Sequence, residues 1–253
     1  MKGQSDRRVA RWGRGITVLA GLILLWWLAT LSTVPAFLLP SPLAVAEALW
    51  KGHDFLFYHT VITASEVVAG LLSGVLLGVL LALGMIYSPR LQRWLMPLVL
   101  TSQAIPVFAL APLLVLWFGF GMGAKVAMAV LVIFFPVTSA FFDGLRRVNT
   151  DYIDLARTLG ASPWAQLRHV RLMAALPAFG TGLRMAAAVA PIGAIIGEWV
   201  GSAEGLGYLM LNANARMQTD QLFAALFILI LMTVLLWIAV DSLLRRLVNW
   251  TAE

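Results

Sequence analysis

The sequence contains no cysteine, and only 12% of its 253 residues are charged. The absence of cysteine excludes disulfide bonds, thiolate nucleophiles and cysteine-based metal sites. Soluble domains are about a quarter charged and close to half apolar, whereas 61% of this chain is hydrophobic. A soluble fold of this length has too little interior to bury so much apolar surface. The composition therefore predicts a membrane protein.

Apolar segments long enough to cross a bilayer recur along the chain, since a spanning helix needs about 20 mostly apolar residues. Six segments qualify, which predicts an all-α, polytopic protein with six transmembrane helices. They lie at about Gly15–Leu31, Val61–Tyr87, within Trp94–Ala124, and at about Val126–Phe142, Leu176–Trp199 and Gln221–Val240. Residues 1–14 are expected to form a basic tail, and residues 15–253 a single transmembrane domain.

The basic residues are distributed unevenly, although the net charge is only +6. Fifteen of the eighteen lie in the two terminal tails, the second and fourth connections and the start of the fifth span, leaving Lys51, Lys125 and Arg216 on the opposite side. Because basic residues favour the cytoplasmic side, we expect a multi-pass protein of the cell inner membrane with both termini cytoplasmic. They flank apolar spans without forming a groove, which indicates contact with anionic lipid and not with nucleic acid.

The third apolar run is longer than one span and contains Pro97, Pro106 and Pro112. Each proline removes a backbone donor and favours a kink. Non-helical backbone at membrane depth is tolerated only against protein or water, so one interpretation is a broken helix facing the bundle interior or a pathway. A simple proline-kinked helix is the alternative, and the sequence leaves both open.

One connection, Arg146–Leu176, is unusually long and polar. Thr150 is suited to cap a helix beginning at Asp151, whose charge complements the positive end of the helix. An apolar stripe at helical spacing follows: Tyr152, Leu155, Ala156 and Leu159.

Gly160 is placed to end this helix in a left-handed conformation. Ser162 and Pro163 then fit the cap and the first residue of a second helix. Two short helices joined at a glycine are suited to lie in a groove of a partner protein or on the lipid surface. The pattern alone does not decide between these two.

Residues 154–162 read Asp-Leu-Ala-Arg-Thr-Leu-Gly-Ala-Ser and are followed by Val170 and Leu172. This stretch resembles the cytoplasmic EAA loop of ABC-importer permeases, and the spacing from the acid to the glycine and on to Val170 matches. Two departures are plain. Asp154-Leu155 replaces the Glu-Ala of the pattern, and Met173 stands where the pattern has proline.

The resemblance extends from about Thr60 to Val248, and over this range the sequence is similar to the nitrate, sulfonate and taurine permease group. Within that group, residues 103–119 look closest to permeases for thiamine-precursor pyrimidines such as hydroxymethylpyrimidine. The matching stretches are Gln103-Ala104-Ile105-Pro106, Ala111-Pro112-Leu113, Leu116-Trp117-Phe118-Gly119, Phe134-Phe135-Pro136, Gly144-Leu145-Arg146, Gly182-Leu183-Arg184, Gly197-Glu198 and Gly205-Leu206-Gly207-Tyr208.

The resemblance implies a type I ABC importer permease fold that works by alternating access. It implies three kinds of partner: a dimer of cytoplasmic ABC ATPases, a second permease subunit that is usually identical, and an extracytoplasmic solute-binding protein. ATP and magnesium would be held by the ATPases, and no cofactor is expected on this chain. The implied coupling helix, which docks on the ATPase, includes Asp154, Ala156, Gly160, Ala161 and Ser162.

Polar and aromatic side chains within the spans are candidates for the solute pathway. Glu198, near the outer end of the fifth span, is costly at membrane depth and is therefore a functional candidate, with a structural hydrogen bond as the alternative. Gln103 needs hydrogen-bond partners that a solute or another helix could supply. Phe134, Phe135 and Trp199 could stack on an aromatic solute or simply pack. Glu66 is either intramembrane or extended toward the outer interface.

Two other classes of protein remain as alternatives. An intramembrane enzyme would need a nucleophile and a base at membrane depth, for which a Glu66 and Glu198 pair is the available candidate. The three histidines, His53, His59 and His169, are assigned to loops, and no metal site is expected. A secondary transporter often has inverted repeats, and none is visible. The solute expected is a thiamine-precursor pyrimidine, with a sulfonate, taurine or nitrate as the alternative.

Overall fold

The computed structural model describes residues 17–18, 20–31, 34–35, 37–248 and 250, and the regular structure within them is helical. This confirms the all-α class. The helices are α1 Ala20–Thr30, α2 Pro42–Lys51, α3 His53–Tyr87, α4 Pro89–Ser102, α5 Val107–Phe118, α6 Met122–Arg146, α7 Thr150–Thr158, α8 Pro163–Gln166, α9 Leu172–Gly201, α10 Leu206–Ala215 and α11 Thr219–Leu247. A π-helical turn, Leu167–Arg171, joins α8 to α9.

Among the described residues, four helical segments are long and apolar enough to cross a bilayer: α3, α6, the continuous Pro163–Gly201 and α11. The bent pair α4 and α5 qualifies as a fifth span. Five of the six predicted spans are thus present. The described part of the remaining one, α1, is shorter than a span, and residues 15, 16 and 19 of that prediction lie outside the described residues, as does the predicted tail 1–14.

The third predicted span is broken at residues 103–106, where the helix axis turns by 106°. Pro97 and Pro112 stay inside α4 and α5, whereas Pro106 is extended, with φ −61° and ψ 116°. The backbone N–H of Gln103 donates to the carbonyl of Leu100 at 3.2 Å and closes the end of α4. Of the two interpretations, the broken helix is therefore correct, and the interruption occurs where proline has no N–H to continue the ladder.

His53 and His59 do not lie in a loop, contrary to the sequence interpretation, whereas His169 lies in the connection between α6 and α9, as predicted. His53 and His59 belong to the first turns of α3, His169 to the π-helical turn, and Lys125 to the first turn of α6. The 35 residues of α3 rise about 52 Å. The helix is therefore longer than the hydrocarbon core of a bilayer, which is roughly 30 Å thick. A hydropathy criterion detects only the apolar part of such a helix and misses its polar start.

The described residues divide into two compact units, one made of those up to residue 57 together with 209–227, and the other of residues 58–208 together with those from 228 onward. In the first unit, the rings of Trp26 and Phe223 stack with centroids 5.9 Å apart. The indole N–H of Trp26 donates to the carbonyl of Pro40 at 3.1 Å, which fixes α1 against the start of α2.

The second unit has a core of closely packed helices. A Cβ on Gly74 of α3 would lie 2.6 Å from the Ile133 side chain of α6, and one on Gly193 of α9 would lie 2.5 Å from the Cα of Ala129. Small residues allow this close approach, which stabilises helix pairs in lipid. The core consists of Val67, Leu71, Ala129, Ile133, Val137, Ala186, Ala187, Ala190, Ala194, Val240 and Leu244.

An ion pair joins α9 to α11 in the same unit. Arg184 donates through Nε to Asp241 at 2.7 Å, and Arg245 donates to the other oxygen of Asp241 at 2.8 Å. Arg184 is thus paired with Asp241 and not with Glu198, as the 14-residue separation on one helix requires.

Candidate functional site

The first candidate site is a group of polar side chains buried among apolar helices. It consists of Thr63 and Glu66 on α3, Lys125 on α6 and Glu198 on α9, and is called the glutamate–lysine cluster below. Both glutamates are 1% exposed and Lys125 is 8% exposed. Three ionisable groups are therefore withdrawn from solvent, which requires them to satisfy one another.

Lys125 Nζ donates to Glu66 Oε1 at 2.5 Å. The pair joins α3 to α6 across 59 residues of sequence. It answers the question that the sequence left open for Glu66, because the side chain turns into the protein and not toward the outer interface.

Glu198 is held at both carboxylate oxygens. Thr63 donates from Oγ1 to Glu198 Oε1 at 2.5 Å, and the backbone N–H of Gly207 donates to Oε2. The same Thr63 oxygen accepts from the backbone N–H of Leu206 at 2.8 Å. One glutamate and one threonine thereby tie α3 and α9 to the first residues of α10.

The turn that precedes α10 is fixed by Gly205. Its φ is +106°, and a Cβ at this position would overlap the Glu198 carboxylate. Its backbone N–H donates to Nδ1 of His59 at 2.8 Å, so that this ring nitrogen is the acceptor. The sequence picked out Gly205-Leu206-Gly207-Tyr208 by resemblance, but did not indicate that the turn closes over Glu198.

The other predicted pathway residues are spread over three elements. Gln103 lies exposed at the break after α4, with its amide 3.4 Å from Ser102 Oγ. Phe134 is buried on α6, and Phe135 is half-buried beside it. Trp199 is 41% exposed and meets Phe108 of α5 edge-to-face at 6.5 Å. A pathway role for these residues stays a prediction.

The second candidate site is the α7–α8 loop, residues 147–171. Asn149 caps α7 by accepting from the N–H of Asp151 at 2.9 Å, so the predicted cap at Thr150 is one residue late. Gly160 has φ +78°, the left-handed conformation that its position predicted. Ser162 accepts from the N–H of Ala165 at 3.2 Å and caps α8, as predicted.

The loop presents apolar side chains outward. Tyr152, Leu155 and Leu159 are 62%, 59% and 77% exposed. Gln166 is buried and donates to the carbonyl of Ala161 at 2.8 Å, which holds the two short helices together. An exposed apolar face of this kind is suited to contact a partner protein or the lipid surface.

Residues 74–252 match the family described as binding-protein-dependent transport system inner membrane component. The chain belongs to this family, and it is a permease subunit of an ABC importer. It is 51% identical over 233 residues to a probable ABC transporter permease protein of Haemophilus influenzae, a match that covers 91% of this chain and 95% of the relative. The interpretation as a permease and not an enzyme is confirmed.

The names of two further relatives specify a transported solute. A formylaminopyrimidine transport permease protein of Halalkalibacterium halodurans is 38% identical, covering 90% of this chain and 92% of the relative. A riboflavin transport system permease protein of Chloroflexus aurantiacus is 37% identical, covering 94% and 91%.

The fold is similar to that of the methionine ABC transporter MetNI in an inward-facing form, with a TM-score of 0.62. That match covers 78% of this chain and 96% of the other at 20% identity. The predicted type I importer fold is thereby confirmed, and the family makes this an integral protein of the inner membrane.

Proposed function

We propose that the α7–α8 loop is the coupling element that seats in a groove of a cytoplasmic ABC ATPase. The observation that carries this is the row of exposed apolar side chains on α7, in a loop whose two short helices are joined by the hydrogen bond from Gln166 to the carbonyl of Ala161. Exposed apolar patches that are rimmed by polar residues mark interaction surfaces. Asp154, Ala156, Gly160, Ala161 and Ser162 form the docking segment.

The proposal includes the assembly and the orientation. Two copies of the chain pair with two ATPases, and an extracytoplasmic binding protein delivers the solute. Both termini and the α7–α8 loop are on the cytoplasmic side, because the basic residues concentrate there. Binding and hydrolysis of ATP by the partner change the contacts of the loop and move the permease between two states, as coupling between distant sites requires.

Substitution of Leu159 by serine tests the docking surface. We expect Leu159→Ser to remove most of the ATPase that co-purifies with the tagged permease, because Leu159 is 77% exposed on the docking face. Leu43→Ser is the matched control, since Leu43 is equally exposed on α2 and lies outside the loop. Equal ATPase recovery with both variants, or solute uptake driven by a proton gradient with no ATPase bound, would overturn the proposal.

The solute that we propose is a thiamine-precursor pyrimidine. The formylaminopyrimidine permease of Halalkalibacterium halodurans supports it, and so do the aromatic side chains near the break after α4. Gln103, Phe135 and Trp199 have exposed surface from which to contact such a solute, whereas Phe134 and Glu198 act by holding the helices that carry them.

Reconstitution decides between solutes. The complex is placed in liposomes with its binding protein, and ATP-dependent uptake is measured separately for a hydroxymethyl- or formylaminopyrimidine, riboflavin, taurine and an alkanesulfonate. We expect uptake of the pyrimidine. Uptake of riboflavin or a sulfonate alone would replace the solute and leave the importer assignment intact.

A further inference from the structure

The glutamate–lysine cluster has an unequal number of acidic and basic groups. Glu66 and Glu198 are two acids, and Lys125 is one base, all of them nearly inaccessible to solvent. With all three ionised the cluster would carry a net charge of −1 inside a membrane protein. An uncompensated charge in such a place is strongly unfavourable and is usually removed by protonation.

The hydrogen-bond pattern indicates which carboxylate oxygen carries an additional proton. Glu66 Oε1 accepts from Lys125, and both oxygens of Glu198 accept from donors on other elements. Glu66 Oε2 is buried and has no hydrogen-bond partner among the described residues. The Glu66 and Glu198 side chains are close enough to interact with each other. An oxygen that faces another acceptor is satisfied by carrying a proton and becoming the donor.

The neighbouring groups do not supply a second positive charge. His59 accepts from the N–H of Gly205 at Nδ1 and is therefore not protonated at both ring nitrogens, as a cation would be. Glu204 accepts from the hydroxyl of Tyr58 at 2.9 Å and adds further negative charge. Within the described residues that face the cluster, Lys125 is the only cation.

We propose that Glu66 and Glu198 bind one proton between them at neutral pH, shared between Glu66 Oε2 and the Glu198 carboxylate. Lys125, which donates to Glu66 Oε1, then balances the single negative charge that remains on the two glutamates. The cluster is then electrically neutral and holds α3, α6, α9 and the turn before α10 together. This inference does not depend on which solute is transported or on how the ATPase docks.

The proton is measured directly by infrared spectroscopy of the permease complex at neutral pH, through the carbonyl stretch of a protonated carboxylic acid. We expect one such group per chain in the wild type and its loss in both Glu66→Gln and Glu198→Gln. Each amide reproduces the shape and neutrality of a protonated glutamate and leaves one carboxylate for Lys125. Both single variants should therefore keep a thermal midpoint close to that of the wild type.

Glu47→Gln is the control, because the hydrogen bond and the charge of exposed Lys51 hold the pKa of Glu47 below its usual range. This variant loses an ionised carboxylate and should leave the acid band unchanged. The double variant Glu66→Gln with Glu198→Gln leaves Lys125 without a counter-charge and should be much less stable than either single variant.

A wild-type spectrum without the acid band, or single variants that lose only carboxylate intensity, would overturn the proposal. If the variants fail to assemble, the wild type still decides the matter. Glutamate occurs at only five positions, so carbon-13 labelling of glutamate with solid-state NMR resolves whether one of them is protonated at neutral pH.

Discussion

The glutamate–lysine cluster and the α7–α8 loop both depend on a glycine with positive φ, but the two glycines have opposite surroundings. A Cβ on Gly205 would overlap the Glu198 carboxylate, whereas one on Gly160 would meet nothing within 4 Å. The cluster satisfies its groups internally, and the loop leaves an apolar face uncovered. A turn that is enclosed within the protomer serves the fold, and a turn that is open on its outer side is available to a partner.

The largest expected loss of stability comes from replacing Gly205 with alanine, and the same replacement at Gly160 should have a much smaller effect. Gly205→Ala combines an unfavourable φ with overlap of Glu198, and we expect it to lower the free energy of unfolding by about 4 kcal/mol. Gly160→Ala meets only the backbone penalty of about 1 kcal/mol. Thermal and denaturant unfolding of the purified protein measure both. Similar losses of unfolding free energy in the two variants would show that enclosure of the turn does not affect its contribution to stability.

The ion pairs of the two regions provide the second test. Lys125→Met removes the cation of a buried pair, and we expect a loss of about 3 kcal/mol. Arg157→Met removes the cation of the exposed pair with Asp154, which should change stability by about 0.5 kcal/mol or less. Unfolding in the same detergent compares them directly. Equal stability of the Lys125 and Arg157 variants would contradict the expectation that losing a buried cation is more destabilising than losing an exposed one.

The sequence predicted the α7–α8 loop well because that loop follows local rules. The left-handed glycine at 160 and the cap at Ser162 depend on neighbours within a few residues, and only the first cap was misplaced, at Thr150 instead of Asn149. The five long spans were likewise predictable from composition and length.

The cluster was not predictable in the same way. Glu66 and Glu198 were recognised as acids at membrane depth, but their partners lie 59 and 135 residues away, and pairing over such distances depends on how helices pack. Lys125 was assigned to the side opposite the cytoplasm, between two apolar segments, and hydropathy does not distinguish a loop from the first turn of a helix. The close approach of α3, α6 and α9 decides these contacts.

The smallest expected change in stability belongs to Asp154, where the sequence left two roles open. Its carboxylate pairs with Arg157 at 3.1 Å, and both side chains are largely exposed. We expect Asp154→Asn to shift the free energy of unfolding by about 0.5 kcal/mol or less, because solvent screens such a pair. The same variant should retain several-fold less ATPase during purification, since an exposed carboxylate on the helix proposed to dock has further lone pairs with which to accept from a basic residue of the partner.

Glu47→Gln is the matched control for this last measurement, because Glu47 is an exposed glutamate paired with a lysine one turn away and lies outside the loop. It should retain the wild-type amount of ATPase. Unchanged ATPase recovery with Asp154→Asn would restrict this carboxylate to its contact with Arg157 and leave docking to the apolar face. A reduced recovery without loss of stability would separate the two regions most clearly, because a substitution in the cluster acts on the folded state first.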